Sequence, residues 1–249
     1  MISQLDIDYY SLYKNAEGVT KQYNSESPFP HIVFDNFFSA SNYKKILKAY
    51  PSETSDIWKT PSNIHTINKS VTKNGELNVK ELLYSPAAKA LFHEFNSGSF
   101  LTFLEKLTGI SGLLPDPHFA EGGFHKTASG GMLDIHADFS HHKRLGLERR
   151  VNLILYLNSN WKKTYGGELG LYDQKLNLIQ TVSPIANRVI IFNTSEVSFH
   201  GHPKPLSCPK NRTRKSIALY YYTVPRGGRK VKPILFPTDP SFVPIPSET

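Results

Sequence analysis

The spacing of apolar positions along this chain changes character near residue 117. Before it, Phe100, Phe103, Leu104 and Leu107 recur at i, i+3, i+4 and i+7, the mark of one helix face, and Gly109 supplies a stop. Ser85-Pro86 predicts the opening of that helical region, because the first helical position loses nothing by lacking an N–H. An earlier helix is expected from Ser39 or Ser41, either of which offers a cap, to about Tyr50, where Pro51 ends it. Phe29–Asp35 reads as a short strand. The polar residues 1–27 are expected to form a poorly packed lead-in. Residues 52–80, rich in Ser, Thr, Asn and Lys, read as loop with room for one edge strand.

Beyond residue 117 the period is that of strands. Segments 118–125, 132–138, 150–157, 168–172, 177–183, 188–193, 197–201 and 215–223 are separated by turn signals: Gly130-Gly131, Gly166-Gly167, Tyr172-Asp173-Gln174 and Ser183-Pro184. Short strands at this spacing argue for a mainly β fold, a jelly roll or barrel, with helices buttressing it. The expected organisation is a single unit over 1–249: helical support at 1–116, a β core at 117–223 and a Pro-rich tail at 224–249 that wraps the surface or a neighbour.

Composition narrows the class. An apolar share of 39% and an aromatic share of 12% suit a globular chain. No apolar run is of membrane-span length, and the opening Met1–Asp6 has neither the basic nor the apolar region of a secretory signal. The single Cys208 cannot form an internal disulfide, so a reducing, cytoplasmic setting is the default expectation. The net charge of +8 is concentrated: nine Lys/Arg against two acids lie from His200 onward. A solvated tail accounts for this more simply than a nucleic-acid surface, and oligomeric state is not legible.

The chemistry lies in His136, Asp138 and His200. Residues i and i+2 of a strand share a face, so His136 and Asp138 project together, and a distant strand must deliver His200. Two imidazoles and one carboxylate on one face of an octahedral metal leave the other face open, which suits oxygen-activating Fe(II). His141, His142 and His202 are rival ligands. The first two fall in the polar stretch 139–149, which reads as a mobile lid, and Pro203 argues against His202 remaining on the strand. In Arg214–Tyr222, alternation puts Arg214, Ser216, Ala218, Tyr220 and Tyr222 on one face. A guanidinium facing inward needs a carboxylate, either a bound dicarboxylate or a structural partner such as Glu168. Arg212, in the preceding loop, is the alternative clamp.

Three segments then carry a resemblance: Gly131–Asp138; Ile154–Asn158 with Trp161 and Gly166–Leu169; and Phe192–His200 with Arg214–Tyr222. Together they resemble the Fe(II)- and 2-oxoglutarate-dependent oxygenases of the prolyl-4-hydroxylase-like branch. The resemblance implies a double-stranded β-helix (a cupin-like jelly roll) with His136, Asp138 and His200 on iron. Arg214 and Tyr156 would hold the distal carboxylate of 2-oxoglutarate, with Ser216 as a weaker contact. O2 would be the oxidant and ascorbate an accessory reductant. The implied reaction hydroxylates an unactivated C–H of an amino-acid-type substrate, a peptidyl residue such as proline or a small molecule, releasing succinate and CO2. A nucleic-acid demethylase and a non-catalytic binding roll are the alternatives. The 14-residue interval from His200 to Arg214 exceeds what is common in the branch, which keeps Arg212 open. The carboxylate at Asp138 argues for hydroxylation, since related halogenases lack it.

Overall fold

The computed structural model describes residues 5–55, 58, 68–70, 85–119, 122–225 and 241–242. Two antiparallel sheets face each other at its centre. The larger has seven strands, in the order β1 (His31–Phe34), β9 (Val189–Asn193), β6 (Glu148–Tyr156), β11 (Thr213–Thr223), β4 (Gly123–Ala128) and β2 (Asn68–Ser70), with β3 (Leu114–Pro115) also pairing with β11. The smaller runs β12 (Ser241–Phe242), β5 (Leu133–Ala137), β10 (His200–His202), β7 (Leu169–Tyr172) and β8 (Leu178–Val182). From β4 to β11 the chain crosses from one sheet to the other at every step but β7 to β8, giving the expected jelly-roll, mainly β architecture.

The central strands of the larger sheet are apolar on both faces, and each face has its own partner. Val151, Leu153 and Leu155 of β6, with Val189, Ile191, Ile217, Leu219 and Tyr221, pack against the helices. Tyr156, Ile190 and Phe192 point the other way and meet Leu169, Leu171 and Val182 of the smaller sheet. The period-2 pattern thus places one side of the sheet on the supporting helices and the other inside the roll.

Among the described residues four helices form that support: α1 (Tyr9–Ser25), α2 (Ala40–Ala49), α3 (Pro86–Phe95) and α4 (Gly98–Thr108). Ser39 caps α2 and Ser85 caps α3 through their side chains, as the sequence predicts. The helical region after Ser85 is two helices, because Ser97 caps a second one; it ends at Gly109 in the left-handed conformation, φ 73°. The expectation of a poorly packed lead-in is wrong. Residues 9–25 form α1, which packs along α4. Its buried Ala16 and Tyr23 lie two turns apart among polar residues, so average polarity hid the helix face. The Tyr23 hydroxyl donates to Asn193 Oδ1 at 2.7 Å, tying α1 to the sheet.

Strand limits shift at three places. The segment 118–125 starts as strand only at Gly123, because Asp116 Oδ1 accepts from the His118 N–H and holds a turn. The 197–201 strand is His200–His202, since Ser198 Oγ closes a turn with Ser195. The last strand begins at Thr213 rather than 215. Asn68–Ser70 supplies the edge strand allowed for in 52–80, and Ser241–Phe242 of the tail pairs with β5. The remainder of 59–84 and of the tail beyond 225 lies outside the described residues. Among the described residues no helix is long and apolar enough to cross a membrane.

Leu153 is fully buried between sheet and helices. Leu153→Ala is expected to lower unfolding free energy by about 2–5 kcal/mol, measured by urea titration. A loss within about 0.5 kcal/mol, the range of surface substitutions, would place Leu153 outside the shared core.

Candidate active site

His136 and Asp138, on and just past β5, and His200, at the start of β10, meet inside the roll. Their ligand atoms lie within 4.8 Å of one another, and they are the one such group among the described residues. His136 Nε2 is 3.6 Å from Asp138 Oδ1, and His200 Nε2 is 3.9 Å from Asp138 Oδ2. The pairing of His136 opposite His200 in the β5–β10 ladder brings the two imidazoles to a centroid separation of 4.5 Å. Each imidazole is oriented by its own strand. His136 Nδ1–H donates to Asp134 O at 2.8 Å and His200 Nδ1–H to Ser198 O at 2.9 Å. That tautomer turns both Nε2 lone pairs toward Asp138, the arrangement a metal requires. Phe192 packs edge-on against His200, its centroid 4.9 Å away, and helps close this side of the site.

The electrostatics fit a cation. Burial alone would raise the Asp138 pKa, but Arg149, His200 and His136 outweigh it and hold the carboxyl well below the ordinary range. His200 is pushed down to about 4, chiefly by burial and then by His136, so it is neutral at pH 7 and able to coordinate.

Two residues that sequence reasoning missed complete this end. Asn152 Nδ2 donates to Asp138 Oδ2 at 3.0 Å. The Arg149 guanidinium, with NH1 3.4 Å from Asp138 Oδ2, lies between the Phe139 and Tyr220 rings, 3.7 Å and 3.8 Å from their centroids. Simple alternation would send Arg149 to the helix side with Val151. A register shift re-aims it: Tyr221 opposes Val151 while Tyr222 opposes Arg149, so one extra residue bulges from β6. A polar residue in phase with Tyr156 was the available signal for Asn152; nothing local marked the bulge.

At the other end, Arg214 is 6% exposed. Its Nε donates to Gly167 O at 2.8 Å and its NH2 to the Tyr156 hydroxyl at 3.3 Å. No carboxylate pairs with it among the described residues, Glu168 included. Gly167 has φ +79°, and a Cβ there would come 2.6 Å from Leu206 and 3.0 Å from the Arg214 side chain, so only glycine admits the guanidinium. Tyr156 stays a phenol, its pKa raised by burial against the opposing effect of Arg214. Ser216 is buried opposite Tyr156, on the face of Arg214. Arg212 instead donates to the Ser159 and Asn160 carbonyls at the surface.

The rival histidines also separate. His142 Nε2–H donates to Asp116 at 3.1 Å, while its Nδ1 accepts from the N–H groups of Arg144 and Leu145. With Arg149 N–H donating to Ser140 O at 2.7 Å, these bonds hold residues 139–149 as a folded loop. His202 does remain on β10, contrary to the expectation drawn from Pro203.

Comparison with known proteins agrees with this architecture. Residues 122–222, about two fifths of the chain, match the model of the 2OG-Fe(II) oxygenase superfamily. Over that segment, which is the β core, the chain is similar to the 2OG-Fe(II) oxygenase superfamily. It is 28% identical over 207 residues to the prolyl 3-hydroxylase OGFOD1 of Mus musculus, covering 78% of this chain and 33% of that protein. The chain thus spans about one third of the length of this relative. In fold it is similar to a Trichoplax adhaerens prolyl hydroxylase solved with a hypoxia-inducible-factor peptide (TM-score 0.59, 17% identity, 87% of this chain and 94% of that one). A prolyl 4-hydroxylase structure from Phytophthora capsici is also similar (TM-score 0.56, 19% identity, 89% and 67%). Iron(II) and 2-oxoglutarate are the cofactor and co-substrate of the superfamily.

The histidine burial makes a pH prediction. A folded-state pKa lowered from 6.5 to about 4 means that the unfolded chain binds the extra proton first as pH falls. His200 therefore contributes stability that is complete above pH 6.5 and lost on descending toward pH 4. His202, lowered in the same direction, adds to it. The melting temperature of chelator-treated protein is expected to fall across that window, and His200→Gln to flatten the fall. An unchanged profile in the variant would show that the imidazole titrates normally.

Proposed function

We propose that this chain is an Fe(II)- and 2-oxoglutarate-dependent dioxygenase that hydroxylates an unactivated C–H of an amino-acid-type target, with a peptidyl residue such as proline first in line. The observation that carries the reading is a buried guanidinium with no carboxylate partner among the described residues, in the same roll as three converging atoms of metal-ligating type. An unpaired buried cation is strongly destabilising, and an anionic ligand relieves it. In this reading the helical support and the roll work as one unit, with His136, Asp138 and His200 as the iron ligands.

Iron, when bound, supplies O2 activation coupled to conversion of 2-oxoglutarate to succinate and CO2. The chain's own residues bind, orient and exclude water. Arg214 offers N–H groups to the distal carboxylate, and the Tyr156 hydroxyl, which accepts from Arg214, offers its proton to the same group. Asn152 and Arg149 hold Asp138 Oδ2, so the carboxylate faces the imidazoles without rotating. Phe139, Phe192 and Tyr220 keep the surroundings apolar. No side chain is asked to move a proton from substrate. A peptidyl prolyl target rests on the likeness to the mouse prolyl 3-hydroxylase, and a free small molecule is the lesser reading.

Succinate release and a one-oxygen mass gain on proline-containing peptides, with free amino acids in parallel, test this. His136→Ala or Asp138→Ala is expected to reduce succinate more than about a hundredfold, since even partners of metal ligands contribute ten- to a hundredfold. Arg214→Ala is expected to raise the 2-oxoglutarate requirement about tenfold or more while leaving metal affinity intact. Absence of succinate from every substrate pool, together with no thermal stabilisation by metal, would mark the roll as a non-catalytic binder.

A further inference from the structure

The buried imidazole of His202 is not used by the site as described. Among the described residues neither ring nitrogen has a hydrogen-bond partner on another residue, although His202 is only 3% exposed. A buried unsatisfied polar group is destabilising, and native interiors contain few of them.

The strand geometry aims this ring into the roll. From His200 to His202 is two steps along β10, matched by three along β5, from His136 to Leu133. The extra residue belongs to β5, so alternation on β10 is intact and His202 projects on the side of His200. Gly201 between them lets the strands lie close, since a Cβ there would fall 2.6 Å from Asp134 O. The His202 end of β10 is also the Arg214 end of the site. Leu206 O accepts from Gly130 N–H just ahead of β5, and the Leu206 side chain crowds Gly167, whose carbonyl holds Arg214. Burial depresses the pKa of the ring, and Arg214, then His136, act in the same direction.

We propose that His202 is a third contact to 2-oxoglutarate, donating a ring N–H to the carboxylate that Arg214 clamps. This rests on the oxygenase reading above and adds a residue to it. The imidazole contributes binding and selection for a dicarboxylate, while the metal ligands are untouched by its loss.

The test is calorimetric titration of 2-oxoglutarate and of 2-oxobutyrate, which lacks the distal carboxylate, into Mn(II)-loaded protein. Wild type, His202→Leu and His202→Gln are compared, and melting is followed without ligand. Expected is about tenfold or greater weakening of 2-oxoglutarate binding in His202→Leu, with partial recovery in His202→Gln. Mn(II) affinity and 2-oxobutyrate binding should not change, and the ligand-free melting temperature of His202→Leu should hold or rise. Equal 2-oxoglutarate affinity in wild type and His202→Leu overturns the proposal and leaves the oxygenase reading standing. Equal weakening for both keto acids also overturns it, because the contact would then lie away from the distal carboxylate. Failure of the Mn(II)-loaded wild type to bind 2-oxoglutarate overturns both.

Discussion

A carboxylate inside a roll of apolar strands must be kept ionised, and the site is organised around that requirement. Asp138 is 9% exposed, and burial alone would favour its neutral form. Arg149 supplies the opposing charge from an aromatic sandwich, Asn152 supplies a fixed donor, and two imidazoles stand on the remaining side. The β6 bulge is what lets Arg149 reach the carboxylate while Val151 and Leu153 stay in the helix-side core. The local break in alternation serves both packing and chemistry.

The two ends of the site obey opposite charge rules. Around Asp138 a negative group is surrounded by positive and dipolar partners. Around Arg214 a positive group has, among the described residues, a carbonyl and a phenol as its hydrogen-bond partners. A cation bound at the first end and an anion at the second would satisfy both. A metal-chelating dicarboxylate spans those needs in a single molecule, which is why the fold and this pair of environments together point to 2-oxoglutarate chemistry.

Much of this was legible before any coordinates. Period-2 apolarity located six of the eight predicted strands to within two residues, and Ser39, Ser85 and Gly109 marked helix ends where they occur. That His136 and Asp138 project together followed from their sharing a strand face, and the β5–β10 pairing brings His200 to them. Alternation over Arg214–Tyr222 identified the inward arginine, while Arg212 makes its bonds at the surface. What escaped was whatever depended on tertiary context. The α1 helix presents few apolar residues in a polar segment and is stabilised through Tyr23 and α4. Arg149 looked like part of a polar loop because a one-residue bulge cannot be seen in a pattern of alternation. Nothing in the polar stretch 139–149 announced that His142 would be buried on Asp116. Pro203 suggested a strand break one residue too early for His202.

The central claim is that His136, Asp138 and His200 hold one ferrous ion beside a keto acid anchored at Arg214. Anaerobic absorption spectroscopy addresses it most directly, with Fe(II) and 2-oxoglutarate added in turn to the purified chain. A weak visible charge-transfer band should appear only when both are present, and it should be missing in His200→Ala. A spectrum identical with and without the keto acid would mean that the two do not share a site, and the assignment of this roll to oxygenase chemistry would fail.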